Sequence, residues 1–405
     1  MSRRAPLEGV RVADFTWVWA GPFCTLQLAH LGAEVIRVET ATRLCVTRLL
    51  PPFAGFEPGP NRSGYFNQYN QGKKSVTLDL KRPEGIEVAK RLCAASDVVV
   101  ENFAAGVMDR MGLGYEVVRA LRPDVVMIAL SGYGATGPDN DKVSYGPAQV
   151  PLSGMSSVTG YRGHPPMHVG ISYGDPTGGL HGAVAVLAAL LHRARTGRGQ
   201  YIDLSQWETS MAVLPEAILE QTMNGAPPER DGNRDPHMAP HGVFQAAGED
   251  RWVAITIEDD EAWRRFARLV GGAALVDDPR FATLGARKQH EDELEELVTA
   301  WSTTREPQDV VATLQDAGIA AFVSATNQDL AEDPHLAARG FPVTFEHPEV
   351  GAMMHLGVPW RMSSSDSRVR RAAPCLGADT DQVLRYVCGL PPDEIERLRA
   401  AGVLA

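Results

Sequence analysis

The first 130 residues carry short apolar runs separated by amphipathic stretches. Residues 10–15 read as a strand followed by a polar, aromatic loop. Pro22 then suits the first turn of a helix running to about His30. Gly32 ends that helix, and residues 35–38 make a second strand. Residues 75–80 alternate in the manner of a strand, Pro83 opens a helix to about Ala95, and residues 98–100 form the next strand. A helix over 115–121 and an apolar strand over 125–130 follow. Strands alternating with helices at this spacing predict a doubly wound α/β domain with a parallel sheet. No GxGxxG follows any of these strands, so a dinucleotide site loses its main support.

Two segments break the alternation. Residues 40–63 are rich in Pro and Gly and read as a long excursion. Residues 131–179 are dominated by Gly, Pro, Ser and Tyr, and loops of such length inside a compact protein are commonly functional. A helix from about Leu180 to Arg195, a strand over 201–204 and a helix over 211–223 come next. The polar, Pro-punctuated residues 224–240 mark a domain boundary. Beyond it a smaller α+β unit is expected, with a strand over 252–257, helices over 260–270, 289–303 and 307–317, and a strand over 320–324. Short strands near 343–345 and 353–356 precede two closing helices at 379–388 and 392–401. The expected division is a large α/β domain over 1–225, a small domain over 226–330, and a segment over 331–405 that returns to the large one.

Composition narrows the partners. The 405 residues have a formal net charge of −11, which argues against wholesale nucleic-acid binding. The five cysteines, Cys24, Cys45, Cys93, Cys375 and Cys388, show no CxxC spacing, so neither a disulfide framework nor a metal site is expected. That usage points to a reducing, cytoplasmic setting. Residues 1–6 hold two arginines without the apolar run of a signal peptide. The longest apolar run, residues 183–191, is too short to span a bilayer and reads as a core helix.

The candidate chemistry centres on residues 174–179, Gly-Asp-Pro-Thr-Gly-Gly, where Asp175 is the only ionisable side chain. Taken alone, this is ordinary turn sequence, and Asp is a common helix N-cap. The rest of the chain changes that weighting. Leu7-Glu-Gly-Val-Arg-Val-Ala-Asp-Phe15, Ala20-Gly-Pro22 and Leu31-Gly-Ala-Glu-Val-Ile-Arg-Val-Glu39 come first. Asn70-Gln-Gly-Lys-Lys-Ser75, Val100-Glu-Asn-Phe103, Met108-Asp-Arg-Met-Gly112 and Ser131-Gly-Tyr-Gly134 follow, and Thr196-Gly-Arg-Gly-Gln200, Asp333-Pro334 and His347-Pro348 come later. In this order the stretches resemble the class III CoA-transferases of the formyl-CoA and carnitine CoA-transferase type, from near residue 7 to the last helix.

The resemblance implies that Asp175 is a nucleophile. A carboxylate is already ionised at neutral pH and needs no activating base. It would carry the acyl group as an aspartyl anhydride and then CoA as an aspartyl-CoA thioester, without ATP or metal. Acyl-CoA and a carboxylic acid are the implied substrates, with no permanently bound cofactor. Gly178 and Gly179 are local candidates for oxyanion donors. Residues 237–242, where the family often has a glycine-rich loop, hold no glycine run. The resemblance also places Asn102, Phe103, Arg110 and Met111 against coenzyme A. Arg37, Lys73, Lys74 and Lys142 are candidates to neutralise its phosphates, against the alternative of solvated surface charge.

Trp19 stands where formyl-CoA transferase-like members carry a glutamine. Together with Trp17 it suits a substrate bulkier than formate or oxalate, the alternative being plain packing. The Gly-Asp-Pro-Thr-Gly-Gly stretch is also similar to that of members using succinyl-CoA with benzylsuccinate or other dicarboxylates. Two rival readings stand beside the transferase. One is an acyl-CoA racemase, which would need a His that this chain lacks at residues 144–147. The other is a non-catalytic subunit of a hetero-oligomer. The resemblance further implies a dimer of interlinked rings, with homodimer and heterodimer both open.

Overall fold

The computed structural model describes residues 4–226 and 229–404. The boundary segment 224–240 therefore contains two positions, Pro227 and Pro228, outside the described residues, as are Met1 to Arg3 of the N-terminal stretch. The chain divides into two compact units. The first gathers the chain up to Ser156, His168–Ala226 and the residues from His335 on. The second holds Ser157–Met167 and the stretch up to Pro334.

The first unit is built on six parallel strands: β1 (Arg11–Asp14), β2 (Glu34–Glu39), β3 (Lys74–Thr77), β4 (Val98–Glu101), β5 (Val126–Ser131) and β6 (Gln200–Ser205). Their order in the sheet is β3-β2-β1-β4-β5-β6. Neighbouring side chains point to opposite faces, and both faces are buried. Ala13, Ile36, Val76, Val99 and Met127 face one layer, which contains Val88 and Leu92 of the Pro83–Ala94 helix. The same layer holds Val383 and Leu384 of the Thr380–Tyr386 helix and Ile395 and Leu398 of the Pro392–Ala400 helix. The chain's last helices thus help seal the first sheet. Val12, Val35, Val100, Val126 and Ile128 face the other layer, against Cys24 and Leu28 of the Ala20–His30 helix and Ala183, Val186 and Ala189 of the Gly174–Thr196 helix.

Those last two helices cross at glycine. A Cβ on Gly179 would stand 2.7 Å from the Ala20 carbonyl oxygen, and one on Gly182 would stand 2.7 Å from Leu130 Cδ2. The absence of side chains lets the Gly174–Thr196 helix lie directly on its neighbour and on the sheet.

The second unit carries an antiparallel sheet of β7 (His241–Gln245), β8 (Trp252–Thr256) and β9 (Ala320–Val323) in sequential order. Helices Asp260–Val276, Glu291–Ser302 and Pro307–Asp316 supply its core, around Trp263, Phe266, Leu294, Trp301 and Leu314. A hairpin of β10 (Pro342–His347) and β11 (Gly351–Leu356) belongs to the first unit.

Several expected elements differ. The helix expected from Leu180 begins at Gly174, so the Gly-Asp-Pro-Thr-Gly-Gly stretch is its first two turns. Pro176 fits there because the first turn needs no intrahelical N–H. The helix expected over 211–223 is two, Gln206–Met211 and Pro215–Asn224, because Pro215 starts a new one. The helix expected over 289–303 is Glu291–Ser302, preceded by a separate Leu284–Gln289 turn of helix. The long polar stretch after β5 contains two short helices, Gly146–Leu152 and Met155–Val158.

Candidate active site

Strand order reverses between β1 and β4, and the crevice beyond the carboxyl ends of these strands is where open α/β sheets bind ligands. The residues leaving both strands are tied together there. Asn102 Oδ1 accepts the Trp17 N–H at 2.7 Å, and Asn102 Nδ2 donates to the Trp17 carbonyl at 2.8 Å. Both ends of its amide are engaged by one backbone residue. Next to it, Val18 has φ of 63°, a left-handed conformation that a β-branched residue rarely adopts. Its N–H reaches Cys45 Sγ at 3.3 Å. The turn between β1 and the Ala20–His30 helix is held from several sides, as a strained backbone must be.

Asp175 lies opposite this turn, in the first turn of the Gly174–Thr196 helix, and is 7% exposed. Burial pushes its carboxyl up to about 7, opposed by a hydrogen bond from the Ala20 backbone N–H. That N–H belongs to the open first turn of its own helix, where donors lack intrahelical partners. No Lys or Arg is paired with Asp175 among the described residues. On another side the carboxylate meets bare backbone: a Cβ on Gly146 would stand 1.8 Å from Asp175 Oδ2. An aromatic group lies close as well. Trp19 packs on Tyr69 at 5.2 Å and Tyr65 at 5.9 Å between ring centres, and both phenols are pushed up by burial and by the Asp175 charge.

Asp175 opens onto a cleft of about 760 Å³. Trp17, Tyr65, Asn102, Phe103, Tyr133 and Tyr145 line it, with Arg43 and Lys142 as its cations. The Arg43 guanidinium lies 5.1 Å from the Trp17 ring centre. A buried carboxylate with one backbone donor, its carboxyl pushed up toward neutral pH and facing a cleft of this size, has the chemistry to act as a nucleophile or a base.

The chain matches the model of CoA-transferase family III over residues 7–380. It belongs to that family. It is 34% identical over 409 residues to succinyl-CoA–D-citramalate CoA-transferase of Chloroflexus aurantiacus, covering 98% of each chain. It is 33% identical to succinate–glutarate CoA-transferase of Agrobacterium fabrum, over 95% of this chain and 96% of that one. The solved structure of a CAIB/BAIF family protein from Brucella suis superposes with a TM-score of 0.87 at 30% identity, over 95% of this chain and 100% of the other. The protein is a family III CoA-transferase, an enzyme that uses CoA thioesters.

Within this family III chain the sequence-expected residues separate. Asp175, Asn102, Phe103, Trp17 and Lys142 border one cleft. Lys142 sits at its rim, paired with Asp139 at 2.6 Å. Arg110 is exposed on the short Val107–Arg110 helix, and Met111 packs against the sheet's core.

Other expectations need correction. Lys73 is fully enclosed, and Arg37 is 1% exposed. The Lys73 ammonium is taken up by Asp14, Pro22, Thr25 and Asn70, which leaves it no proton for a phosphate. Arg37 faces Glu39 at 3.6 Å and the Phe66 ring at 5.4 Å. Arg37, on β2, and Lys73, just before β3, both lie inward against the Glu39 and Asp14 carboxylates. Lys74 is paired with Glu34 at 2.7 Å, as Lys142 is with Asp139, and the pairing does not overturn its reading as a phosphate contact. Gly178 and Gly179 are helix interior, so their N–H groups belong to the helix ladder rather than to an oxyanion. Trp19 does not line the cleft; it packs against Tyr65 and Tyr69, and its Nε1 is buried without a partner.

Arg43, Tyr65 and Gly146 also line the cleft, and sequence reasoning did not single them out. The first sits in the excursion over 40–63, Tyr65 just after it, and Gly146 in the long polar stretch, where no periodicity marks a function. Among the described residues no group of His, Cys, Asp and Glu could hold a metal ion, and no helix is long and apolar enough to cross a membrane.

Proposed function

We propose that Asp175 is the nucleophile that carries CoA from an acyl-CoA donor, succinyl-CoA foremost, to a carboxylic acid acceptor. The observation that carries this reading is the Asp175 carboxylate itself, buried at the cleft wall with the Ala20 N–H as its backbone donor. A carboxylate oxygen attacks the thioester carbon, the C–S bond breaks, and the CoA thiolate leaves a mixed anhydride. The thiolate attacks the Asp175 carbonyl carbon, which releases the donor acid and leaves an aspartyl-CoA thioester. The acceptor carboxylate then attacks that carbonyl and expels the thiolate. The thiolate finally attacks the acceptor's acyl carbon, so that acceptor-CoA departs and the Asp175 carboxylate returns. Burial serves this sequence by keeping water from the anhydride.

The relatives named for succinyl-CoA and for succinate and glutarate support succinyl-CoA with a dicarboxylic acceptor. Arg43, on the Trp17 ring, is the cation suited to a substrate's distal carboxylate. Pantetheine lies along Asn102 and Phe103, and Lys142, Arg110 and Met111 serve the nucleotide end. The domain division 1–225, 226–330 and 331–405 is part of this reading. So is a dimer of interlinked protomers, supported by the exposed Leu180, Val184 and Leu191 along the Gly174–Thr196 helix and Met223 on the Pro215–Asn224 helix. Five free thiols, four of them buried, suit the cytoplasm.

A panel of carboxylic acids with succinyl-CoA tests the substrates, and hydroxylamine tests the intermediate. Hydroxylamine should inactivate the enzyme only when succinyl-CoA is present, and Asp175→Asn should abolish transfer. Full activity in that variant would refute the nucleophile.

A further inference from the structure

Ala20, whose N–H meets the Asp175 carboxylate, lies within a segment fixed at both ends. At one end Asp14 Oδ1 accepts the Thr16 N–H at 2.9 Å and the Thr16 hydroxyl at 2.5 Å. At the other, Lys73 Nζ donates to the Pro22 carbonyl at 2.9 Å and to Thr25 Oγ1 at 2.7 Å. The two anchors are themselves joined. Thr25 Oγ1 donates to Asp14 Oδ2 at 2.7 Å, and Lys73 Nζ stands 3.3 Å from the same oxygen. Asn70 Oδ1 takes a further Lys73 proton at 3.0 Å. The ends of the segment also touch each other: a Cβ on Gly21 would stand 2.4 Å from Thr16 Cβ.

Asp14 and Lys73 are both fully buried. Such pairs are poor stabilisers, because desolvating two ions offsets their attraction, and apolar replacements are often as stable. What this pair supplies is geometry. It joins the carboxyl end of β1, the start of β3 and the first turn of the Ala20–His30 helix, the three places that set where Ala20 sits.

We propose that Lys73 and Asp14 are positioning residues for the Asp175 chemistry, holding the turn from Thr16 to Pro22 so that the Ala20 N–H stays aimed at the nucleophile. Neither touches substrate. The inference rests on the reading of Asp175 as nucleophile.

The test is single-turnover loading of CoA onto the full-length protein from succinyl-CoA, followed by intact mass across pH. Wild type is compared with Lys73→Met and with the double variant Asp14→Leu/Lys73→Met. Where the single variant fails to fold for want of a partner to Asp14, the double variant carries the measurement. A lost hydrogen bond to a carboxylate should slow loading on the order of tenfold and raise the midpoint of its pH dependence by about one unit. Half-saturation by succinyl-CoA should stay within about twofold, since no binding contact is removed. An unmoved midpoint with only a lower melting temperature overturns the proposal in favour of a structural role. Raised half-saturation at an unchanged loading rate overturns it in favour of a phosphate contact. Asp175→Asn separates the two readings: loading in that variant would defeat the nucleophile itself, whereas its silence beside an unmoved Lys73→Met midpoint defeats only the positioning.

Discussion

Gly146 lies against Asp175 so closely that a methyl group on its Cα would stand 1.8 Å from the carboxylate oxygen. The same methyl group would be 2.6 Å from Ser172 Cβ, so no simple shift relieves both contacts. Gly146 is not among the glycines with positive φ, so alanine is acceptable to its backbone. Gly146→Ala should therefore turn the carboxylate away and displace the Ser172 segment, at a cost of about 1–3 kcal/mol in stability. We expect a loss on the order of 100-fold in kcat, the scale on which misplaced reacting groups lose rate. Steady-state transfer from succinyl-CoA, alongside thermal unfolding, checks both halves of that expectation.

The burial of Asp175 makes stability depend on pH. Its carboxyl is raised from 3.8 to about 7 in the fold. For a raised acid the native state holds the proton longer than the unfolded chain does. The stabilising contribution is present below the unfolded value and is lost as pH rises through about 7. Asp175→Asn carries no charge in either state. It should match wild type near pH 4 and exceed it by about 2–4 kcal/mol at pH 8. Denaturant unfolding at the two pH values measures this. Equal stability offsets at both would mean that the carboxylate is not desolvated.

The glycines of the Gly174–Thr196 helix should rank by what each one touches. A Cβ on Gly179 meets the Ala20 carbonyl at 2.7 Å, and backbone cannot step aside. A Cβ on Gly178 meets Gln206 Cγ at 2.9 Å, part of a buried side chain whose amide donates to the Leu130 carbonyl at 3.0 Å. Alanine gains about 1 kcal/mol of helix propensity at either site. Overpacking a rigid crossing costs about 1–3 kcal/mol. Gly179→Ala should thus be the more destabilising, and the less active because Ala20 moves. Gly178→Ala should cost less, since a side chain rather than backbone has to give way. Paired melting curves and transfer rates decide the order.

These contacts also explain what could be read in the sequence. Strands β1, β2, β4 and β5 were legible because a sheet buried on both faces needs unbroken apolar runs. Pro22 and Pro83 marked helix starts because a missing N–H is harmless there. The Gly-Asp-Pro-Thr-Gly-Gly stretch read as a turn because glycine is a poor helix former when judged locally. It is helical because Gly179 and Gly182 rest on Ala20 and Leu130, contacts between segments remote in the chain. Lys73 read as a phosphate contact, with surface charge as the alternative, because lysine is so rarely enclosed. Only the fold shows Asp14 waiting for it. Arg43, Tyr65 and Gly146 reach the cleft from segments whose course no periodicity fixes.

Glu101 is a further buried carboxylate, at the end of β4, outside the proposed chemistry. Its Oε2 accepts the Phe103 N–H at 2.7 Å. Burial pushes it up to about 8, opposed by that hydrogen bond, and Asp109 and Asp203 push it further the same way. A value raised to about 8 favours the neutral acid in the fold at neutral pH. The sign follows as for Asp175: stability present below the ordinary value of 4.5 is lost as pH rises through about 8. A glutamine keeps an oxygen for the Phe103 N–H and never ionises. Glu101→Gln should be indistinguishable from wild type near pH 4, modestly more stable at pH 6, and most clearly so at pH 9, by about 2–4 kcal/mol. The neighbouring Asn102–Trp17 pairing is untouched by this exchange, so half-saturation by succinyl-CoA should not change. Unfolding at three pH values together with the transfer assay distinguishes a buried neutral acid from a charged ligand contact. A variant with unaltered pH-stability but weakened substrate binding would place Glu101 in the binding cleft as a charge.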